Sequence, residues 1–582
     1  MLQPTNRFTL FDSLRPPEGF SFDGCIATTF TLDLKALLAL PGIFAMHRDA
    51  DAVTERPPVE ILHAIRKYAS QITIFAQAGE IAVPPSTKVF GFLEGSVVPV
   101  TAPKKGVVHP KVWVLRFTKN DLPHETVLRV IIASRNLTFD SSWDSIVRLD
   151  QSDKGTSLAP IVGLFEGLSN QAVSPIDSSH ADRVSSICND LQNALFQIPS
   201  PFESMTSHIL GIDQSSSPFP PTYDRSVVIS PFISSEFFTR VLTTPVDLLV
   251  SREDQFKQLK GIQTIDKRQW FEDGSNPDET EGPRGPAEPI RGLHAKIFGF
   301  ESEKQTTWFL GSANATGAAF RSNVELLLEL TGPTHLVGID KALGGDGDDT
   351  GMRRLFRDYT DNADLDTDKE DADGFNALRR EIASQGFVGT AFENEKGWNV
   401  TYSTLNNITV STDIEIYIWP TNDAQSKRRV ELNGPLVQTF VSTLTDISGF
   451  LGIELRSPAG NCTFCVPVQL NGIPDERDTQ LMKALIGNAE RFLGYLVALL
   501  DESSLDNYGE GPVIGEGAGT WKTSNSFDMP PVLEKMLKAM RSDQSKLLDI
   551  ASLVRDLDKD GILPPGFIEV WSAVLEVAGS VK

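Results

Sequence analysis

Residues 109–117 read HPKVWVLRF and residues 127–138 read VLRVIIASRNLT; residues 294–316 repeat this arrangement as HAKIFGFESEKQTTWFLGSANAT. Each block joins His-x-Lys to an apolar run that ends in Ser-x-Asn. Of the eight histidines in the chain, only His109 and His294 have a lysine two positions later. The repeat predicts two similar halves that contribute to one function.

The residue types in the two blocks are suited to binding and reacting with a phosphate group. Alternate residues of a strand share a face, so each histidine is expected beside its lysine, Lys111 or Lys296. The following strands would deliver Asn136 and Asn314 to the same place. Lysine supplies positive charge, asparagine supplies amide donors, and histidine exchanges protons near neutral pH. No metal ion or other cofactor is needed in this scheme.

The surrounding pattern predicts an α/β fold. Residues 23–33, 71–79, 225–230 and 246–253 have the character of strands, and helical periodicity lies between the strands of each half. Such alternation predicts a layered sheet with helices on its faces.

The two His-x-Lys and Ser-x-Asn blocks resemble the phospholipase D superfamily, and most closely tyrosyl-DNA phosphodiesterases and bacterial nucleases of that superfamily. The resemblance covers about residues 20–330 and implies two α/β/α halves related by a pseudo-twofold axis. Arg116 and Glu301 stand five residues after the motif lysines, where phospholipases carry aspartate. This departure favours the nuclease branch.

The resemblance also implies the roles of the site residues. His109 would attack phosphorus to form a phosphohistidine, and His294 would protonate the leaving oxygen and then activate water. Lys111, Lys296, Asn136 and Asn314 would stabilise the phosphoryl oxygens. Glu325, eleven residues after Asn314, would orient a catalytic histidine, or would be a solvated residue before the apolar run that follows it.

Four further residues are candidates for substrate binding: Ser134, Arg135, Ser312 and Asp144. The serines would bind phosphate or cap the turn after each strand. Asp144 is also the substitute for the missing orienting carboxylate of the first half, because position 147 is valine. A structural role for Asp144 is the alternative.

The net charge of −24 is unusual for a protein that binds nucleic acid. Residues 1–330 carry 30 basic and 38 acidic side chains, whereas residues 331–582 carry 23 and 39, so most of the excess lies outside the predicted catalytic region. Around the first block we expect a short basic groove lined by Lys104, Lys105, Arg116, Lys119, Arg129, Arg135 and Arg148.

We predict four segments: a first half over 1–215, a second half over 216–335, an acidic linker with one short basic helix (MRRLFRDY) over 336–395, and a β-rich and helical region over 396–582. The loop from Glu272 to Glu288 carries six acidic side chains against Arg284 and is interpreted as an autoinhibitory lid over the site or as a surface insertion without a role. Neither a signal sequence nor a run of about 18 apolar residues occurs, which predicts a cytoplasmic protein without membrane contact.

The first functional hypothesis is a metal-independent phosphodiesterase acting on nucleic acid, with DNA favoured, as an endonuclease or an end-processing enzyme. A phospholipase D-type lipid enzyme is the second. The third is an inactive phosphate-binding module that docks DNA within a helicase-containing phage-defence or repair complex. No Walker-type phosphate loop occurs in the chain, so ATP chemistry would come from a helicase or ATPase partner.

Overall fold

The computed structural model describes residues 9–44, 64–139, 142–212, 217–259, 262, 264–271, 292–345, 351–360, 370–395, 397–408, 414–430, 434–458, 460–487, 492–493, 496, 536, 547, 550–564 and 567–580. It is an α/β structure with mixed sheets, as the alternation of the sequence predicts. The acidic segment from Glu272 to Glu288 and the aspartate-rich residues 361–369 lie outside the described residues.

The first sheet contains strands of the N-terminal third in the order β3-β2-β1-β4-β5-β6-β7. β1, β2 and β3 are parallel, and the strands from β4 onward are antiparallel to their neighbours. The bounds are β1 Phe20–Thr29, β2 Ile72–Gln77, β3 Val97–Val100, β4 Val112–Lys119, β5 Leu122–Ala133, β6 Ile146–Ser157 and β7 Leu195–Phe196. The central strands are buried on both faces, which is why they read as continuous apolar runs.

The second sheet has the order β15-β11-β10-β9-β12-β13-β14-β8. Its bounds are β8 Ser204–Leu210, β9 Arg225–Ile229, β10 Val246–Ser251, β11 Ile265–Phe271, β12 Ile297–Glu301, β13 Gln305–Gly311, β14 Glu325–Pro333 and β15 Phe356–Asp358. Strands β9, β10 and β11 are parallel, and β12, β13 and β14 follow as antiparallel neighbours. The strand that follows each His-x-Lys, β4 or β12, therefore occupies the same position in its sheet, antiparallel to β1 or β9.

Helices cover the faces and ends of the sheets. Their bounds are α1 Leu10–Leu14, α2 Leu34–Phe44, α3 Pro160–Asn170, α4 Ser178–Asn193, α5 Gly317–Arg321, α6 Thr334–Val337, α7 Ile339–Leu343, α8 Glu370–Ala383, α9 Arg477–Ile486, α10 Ala551–Lys559 and α11 Phe567–Ser580. Within the described ranges, no helix is long and apolar enough to cross a membrane.

The structure departs from two details of the predicted segments. β8 begins at Ser204, inside the predicted first half, yet it pairs with β14 and covers that edge of the second sheet. MRRLFRDY forms a 3-10 turn over Met352–Leu355 and then β15, which pairs with β11, rather than a helix. Local helical spacing is overridden here because Phe356 completes the second sheet and packs in its core. Residues 339–343 and 352–358 of the predicted linker are therefore built onto the second sheet, whereas Ile382 and Ala383 of α8 pack in the core of the C-terminal region.

The C-terminal region contains two four-stranded sheets, with orders β20-β17-β16-β23 and β19-β18-β21-β22. The bounds are β16 Phe387–Asn394, β17 Gly397–Asn407, β18 Glu415–Pro420, β19 Arg428–Val430, β20 Pro435–Ser442, β21 Phe450–Ser457, β22 Gly460–Pro467 and β23 Gln469–Asn471. Tyr402 and Phe440 of one sheet and Ile418 and Ile453 of the other belong to one apolar core. This region attaches to the first half through a hydrogen bond from the Cys465 amide to the Ile81 carbonyl (2.8 Å).

Two glycines give opposite predictions for the same substitution. Gly211 follows β8 with φ +83°, and a Cβ there would lie 1.9 Å from the Asn323 carbonyl oxygen. Gly211→Ala should therefore lower the free energy of unfolding by about 2 kcal/mol or more. Gly163, exposed on α3 with open space around its Cα, is the matched control: Gly163→Ala should stabilise by about 0.5–1 kcal/mol. Equal denaturant midpoints for the two variants would contradict the close approach at Gly211.

Candidate active site

His109 lies immediately before β4 and is held against the first residue of β14. Val108 forms a parallel bridge with Val324, and the His109 amide donates to the Val324 carbonyl (3.0 Å). This pairing places the His109 ring beside Glu325, with 2.9 Å between Nδ1 and Oε2. The Glu325 side chain is fully buried.

His294 has the corresponding position before β12. Trp143 forms a parallel bridge with Leu293, and the His294 amide donates to the Trp143 carbonyl (2.9 Å). Nδ1 of His294 lies 2.8 Å from Oδ1 of Asp144. The carboxylates are therefore exchanged: each histidine is held by the acidic residue of the other sheet. Asp144 was predicted as a substrate-binding residue and as the orienting carboxylate of the first half; its carboxylate contacts His294 of the second half, which agrees with an orienting role.

The exchanged pairs set the tautomer of both rings. An ionised carboxylate accepts hydrogen bonds but cannot donate, so each Nδ1 carries the shared proton. In a neutral imidazole this leaves the lone pair on Nε2, the nitrogen that then has nucleophilic or basic character. Both histidines thus present the same reactive atom.

The lysines follow the same arrangement in both halves. Nζ of Lys111 donates to the His109 carbonyl and Nζ of Lys296 donates to the His294 carbonyl, each at 2.6 Å. Both lysines are buried. They lie in the extended segments just before β4 and β12, not within the strands as predicted. Phe30 closes one side, with its ring centroid 5.2 Å from that of His109 and 5.7 Å from Lys111 Nζ.

Burial and crowded positive charge control protonation in the site. Burial lowers the pKa of His109 from 6.5 to about 4; Glu325 opposes this shift, while Lys111 and Lys296 add to it. The pKa of His294 is also lowered, first by burial and then by Lys296, against the effect of Asp144. Burial and the charge of Lys296 lower the pKa of Lys111 well below its usual value. Both imidazoles are therefore neutral at pH 7, and the site favours an anion that offsets the lysines.

The hydroxyls of the two predicted phosphate-binding serines are engaged with the carboxylates. Ser134 Oγ donates to Asp144 Oδ1 (2.9 Å) and accepts from the Ser145 amide (2.9 Å). Ser312 Oγ donates to Glu325 and accepts from the Leu326 amide (3.0 Å). The serines therefore neither contact phosphate directly nor only cap a turn; they join each carboxylate to the chain that follows a strand.

Asn136 and Asn314 follow the ends of β5 and β13. Among the described residues, the side-chain oxygen of each is buried without a hydrogen-bond partner. Such atoms are rare in folded proteins, because leaving a polar group buried and unpaired costs about 1–3 kcal/mol. The same unpaired acceptor occurs after β5 and after β13; a phosphate oxygen, which also accepts, would be met by the Nδ2 donor of each amide.

Sequence reasoning missed the residues that complete the support. Asn323 Nδ2 donates to Glu325 Oε1 (3.2 Å) and its Oδ1 accepts from the Val107 amide (3.2 Å). Ser142 Oγ donates to Asp144 Oδ2 (3.3 Å). Both supports stand two residues before their carboxylate, a shared spacing that could have identified them.

Most of the basic side chains that were predicted to line a groove lie away from the candidate site. Arg116 pairs with Asp23 and Asp190, Lys119 with Glu125, and Arg129 and Arg148 with Asp150. β4 starts at the site and rises about 3.3 Å per residue, so Arg116 is carried roughly 16 Å beyond Lys111. Arg135, a predicted substrate-binding residue, lies at the site, with Nη1 3.9 Å from Asp144 Oδ2. Lys104 and Lys105 are exposed on the loop that leads to His109.

Within the described ranges, no group of three or more His, Cys, Asp and Glu side chains is arranged to hold a metal ion. Cys462 and Cys465 both lie on β22 as free thiols.

No protein-family model and no curated protein sequence matches the chain. Among solved structures, a variant of yeast tyrosyl-DNA phosphodiesterase is similar at 11% identity and a TM-score of 0.32, over 58% of this chain and 87% of its own. Polyphosphate kinase from Porphyromonas gingivalis is similar at 10% identity and a TM-score of 0.27, over 55% of this chain. The match covers 41% of the kinase chain.

The lowered pKa of His109 predicts a pH-dependent contribution to stability. Between about pH 6.5 and 4, His109 is protonated in the unfolded chain but stays neutral in the folded protein. The unfolding free energy should therefore fall as the pH is lowered through this window. The loss attributable to His109 is on the order of 3 kcal/mol. His109→Asn should flatten the curve of unfolding free energy against pH. His124→Asn, at an exposed position, should not; parallel curves for native protein and His109→Asn would contradict the assignment.

Proposed function

We propose that the chain is a metal-independent phosphodiesterase that acts on nucleic acid through a phosphohistidine intermediate. The observation that carries the proposal is the exchanged pair of His–carboxylate hydrogen bonds around two buried lysines. Two oriented imidazoles with free Nε2 atoms suit a displacement that needs a nucleophile and an acid. A histidine nucleophile removes the need for a metal-bound hydroxide.

The charges of the site favour a phosphodiester over a neutral substrate. Burial first, and the charge of Lys296 second, lower the pKa of Lys111 and disfavour its charged form. A bound phosphodiester offsets this repulsion, and negative charge grows on its oxygens as the displacement proceeds. The ammonium groups of the lysines and the Nδ2 donors of the Asn136 and Asn314 amides therefore stabilise the transition state more than the ground state.

The environments of the two histidines support different roles. The His109 side chain is 11% exposed and that of His294 is 18% exposed, and burial is the main cause of both lowered pKa values. His109, the more buried ring, is assigned as the nucleophile. His294 is protonated more readily once an anion enters and is assigned as the acid.

The reaction has two steps. Nε2 of His109 forms a bond to phosphorus as the bond to the leaving oxygen breaks and that oxygen takes the proton from Nε2 of His294. Water then loses a proton to His294, attacks phosphorus and displaces His109. The positive charge that develops on the His109 ring is neutralised by Glu325, and the charge on protonated His294 by Asp144.

Nucleic acid as the substrate is supported by the exposed pair Lys104 and Lys105. They lie on the loop that ends at His109, where they can contact phosphates that flank the reacting one. Gly106 follows them, and a Cβ at this position would lie 2.1 Å from the Ser322 carbonyl oxygen, so the loop is pressed against the chain before Glu325.

The intermediate gives a direct test in buffer with EDTA. The native protein should cleave 3′-³²P-labelled or 5′-³²P-labelled oligonucleotides, and His109→Ala should lose turnover and covalent label. His294→Asn should slow turnover on the order of 100-fold or more and retain ³²P on the protein, because water is no longer activated. His208→Ala, which alters another His–Glu pair on β8 and β14, is the control that should keep activity. Cleavage only after addition of magnesium would overturn the phosphohistidine scheme.

The exchanged carboxylates predict different lesions for two similar substitutions. Glu325→Gln should reduce formation of the phosphoenzyme, because His109 loses the charge that stabilises its attack. Asp144→Asn should mainly slow its breakdown, because His294 then holds a proton less well. Rapid-quench measurement of the two steps separates these effects, with Glu329→Gln as the matched control. If both variants slow the same step equally, the exchanged roles are wrong.

A further inference from the structure

We propose that Phe232 and Arg252 form a stacking site for an unpaired nucleobase on the His294 side of the pocket. This inference rests on the proposed function and adds that the site binds an unpaired nucleobase of the substrate. Phe232 is 40% exposed, which is unusual for a phenylalanine whose neighbours in the chain are buried.

The main chain of Phe232 is tied to the site through Ser230. Ser230 Oγ donates to the Phe232 carbonyl (2.7 Å) and accepts from the amide of Ala315 (2.9 Å), the residue after Asn314. Ser230 directly follows β9, whose end lies at the same edge of the sheet as the start of β12. Phe232 is therefore fixed beside the residues that hold the phosphate.

The side chain of Phe232 is tied to the other part of the site through Arg252. Nε and Nη2 of Arg252 donate to the carbonyl of Leu293, the residue before His294 (3.3 and 3.2 Å). The guanidinium carbon lies over the Phe232 ring, 4.8 Å from its centroid. One ring face is covered by a cation that the fold holds in place, and the exposed area remains for a planar ligand.

The first half has a different arrangement at the same positions. Thr29 Oγ1 donates to the Thr31 carbonyl and accepts from the Leu137 amide, so Thr31 stands where the second half has Phe232. Gln77 accepts from the Val108 amide and takes the place of Arg252. The exposed, arginine-backed ring therefore occurs on the side of the proposed acid, where the leaving group departs, whereas Phe30 on the other side packs against His109.

The geometry favours an unpaired base. A ring in a duplex is stacked on both faces, so only a single-stranded or terminal nucleotide can offer one to Phe232. Glu253 and Asp254 are exposed beside Arg252 and reduce its attraction for phosphate. The contact is therefore mainly stacking, and its contribution should change little with salt.

The test compares single-stranded oligonucleotides that carry either a purine or an abasic residue on the leaving-group side of the scissile phosphate. Phe232→Ala should lower kcat/KM and binding affinity by about tenfold to a hundredfold for the purine substrate, with similar losses at low and high salt. It should change neither value more than about twofold for the abasic substrate. Phe232→Trp should retain the native preference, and Phe392→Ala, at another exposed phenylalanine on β16, should behave as native protein.

The outcomes separate this inference from the proposed function. If native protein cleaves oligonucleotides but Phe232→Ala affects purine and abasic substrates equally, the stacking site is wrong and the proposed function stands. If native protein binds but does not cleave, the proposed function fails and the affinity difference alone decides the stacking site. If native protein binds neither oligonucleotide, or if Phe232→Leu matches Phe232→Trp, the nucleobase assignment is overturned.

Discussion

Everything in the candidate site depends on the exchange of carboxylates between the two sheets. Glu325 receives hydrogen bonds from His109, Ser312 and Asn323, and it is fully buried. A buried carboxylate is costly unless several donors surround it, and here the donors come from both sheets. The bridges Val108–Val324 and Trp143–Leu293 are what bring them together. The same contacts that satisfy the acids also fix the reactive nitrogen of each imidazole.

The candidate site contains buried polar and charged groups whose burial lowers the stability of the fold. Two buried lysines, two neutral imidazoles and two unpaired amide oxygens would not be expected in a core built only for stability. An anion between the two lysines would offset their charges, which is the physical reason for proposing phosphoryl chemistry at this site.

The C-terminal region braces the first half of the site. Arg379 and Arg380 both form ion pairs with Glu80, and the backbone amide of Cys465 on β22 donates a hydrogen bond to the Ile81 carbonyl. The Glu80 carbonyl in turn accepts from the amide of Leu32, which forms a bridge with Leu137, the residue after Asn136. A continuous set of contacts thus runs from α8 and β22 to the amide of Asn136 in the candidate site. Residues remote in sequence can therefore influence the precision of the site.

The sequence alone determined the α/β class and the association of His109 with Lys111 and of His294 with Lys296, because strand periodicity and repeated motifs are local properties of the chain. It placed both lysines within strands, whereas they lie just before β4 and β12. Only the tertiary structure decided which carboxylate meets which histidine. That pairing joins residues 216 and 150 positions apart, and no local spacing encodes it. The prediction of a basic groove with Arg116 and Lys119 was wrong for the same reason. Both residues are close to His109 in sequence, but β4 carries them away from the site, where they pair with other acidic residues. A short helix was predicted at 352–359, but the structure has a 3-10 turn and a strand there. The strand forms because Phe356 pairs with the edge of β11, a contact that local helix propensity does not include.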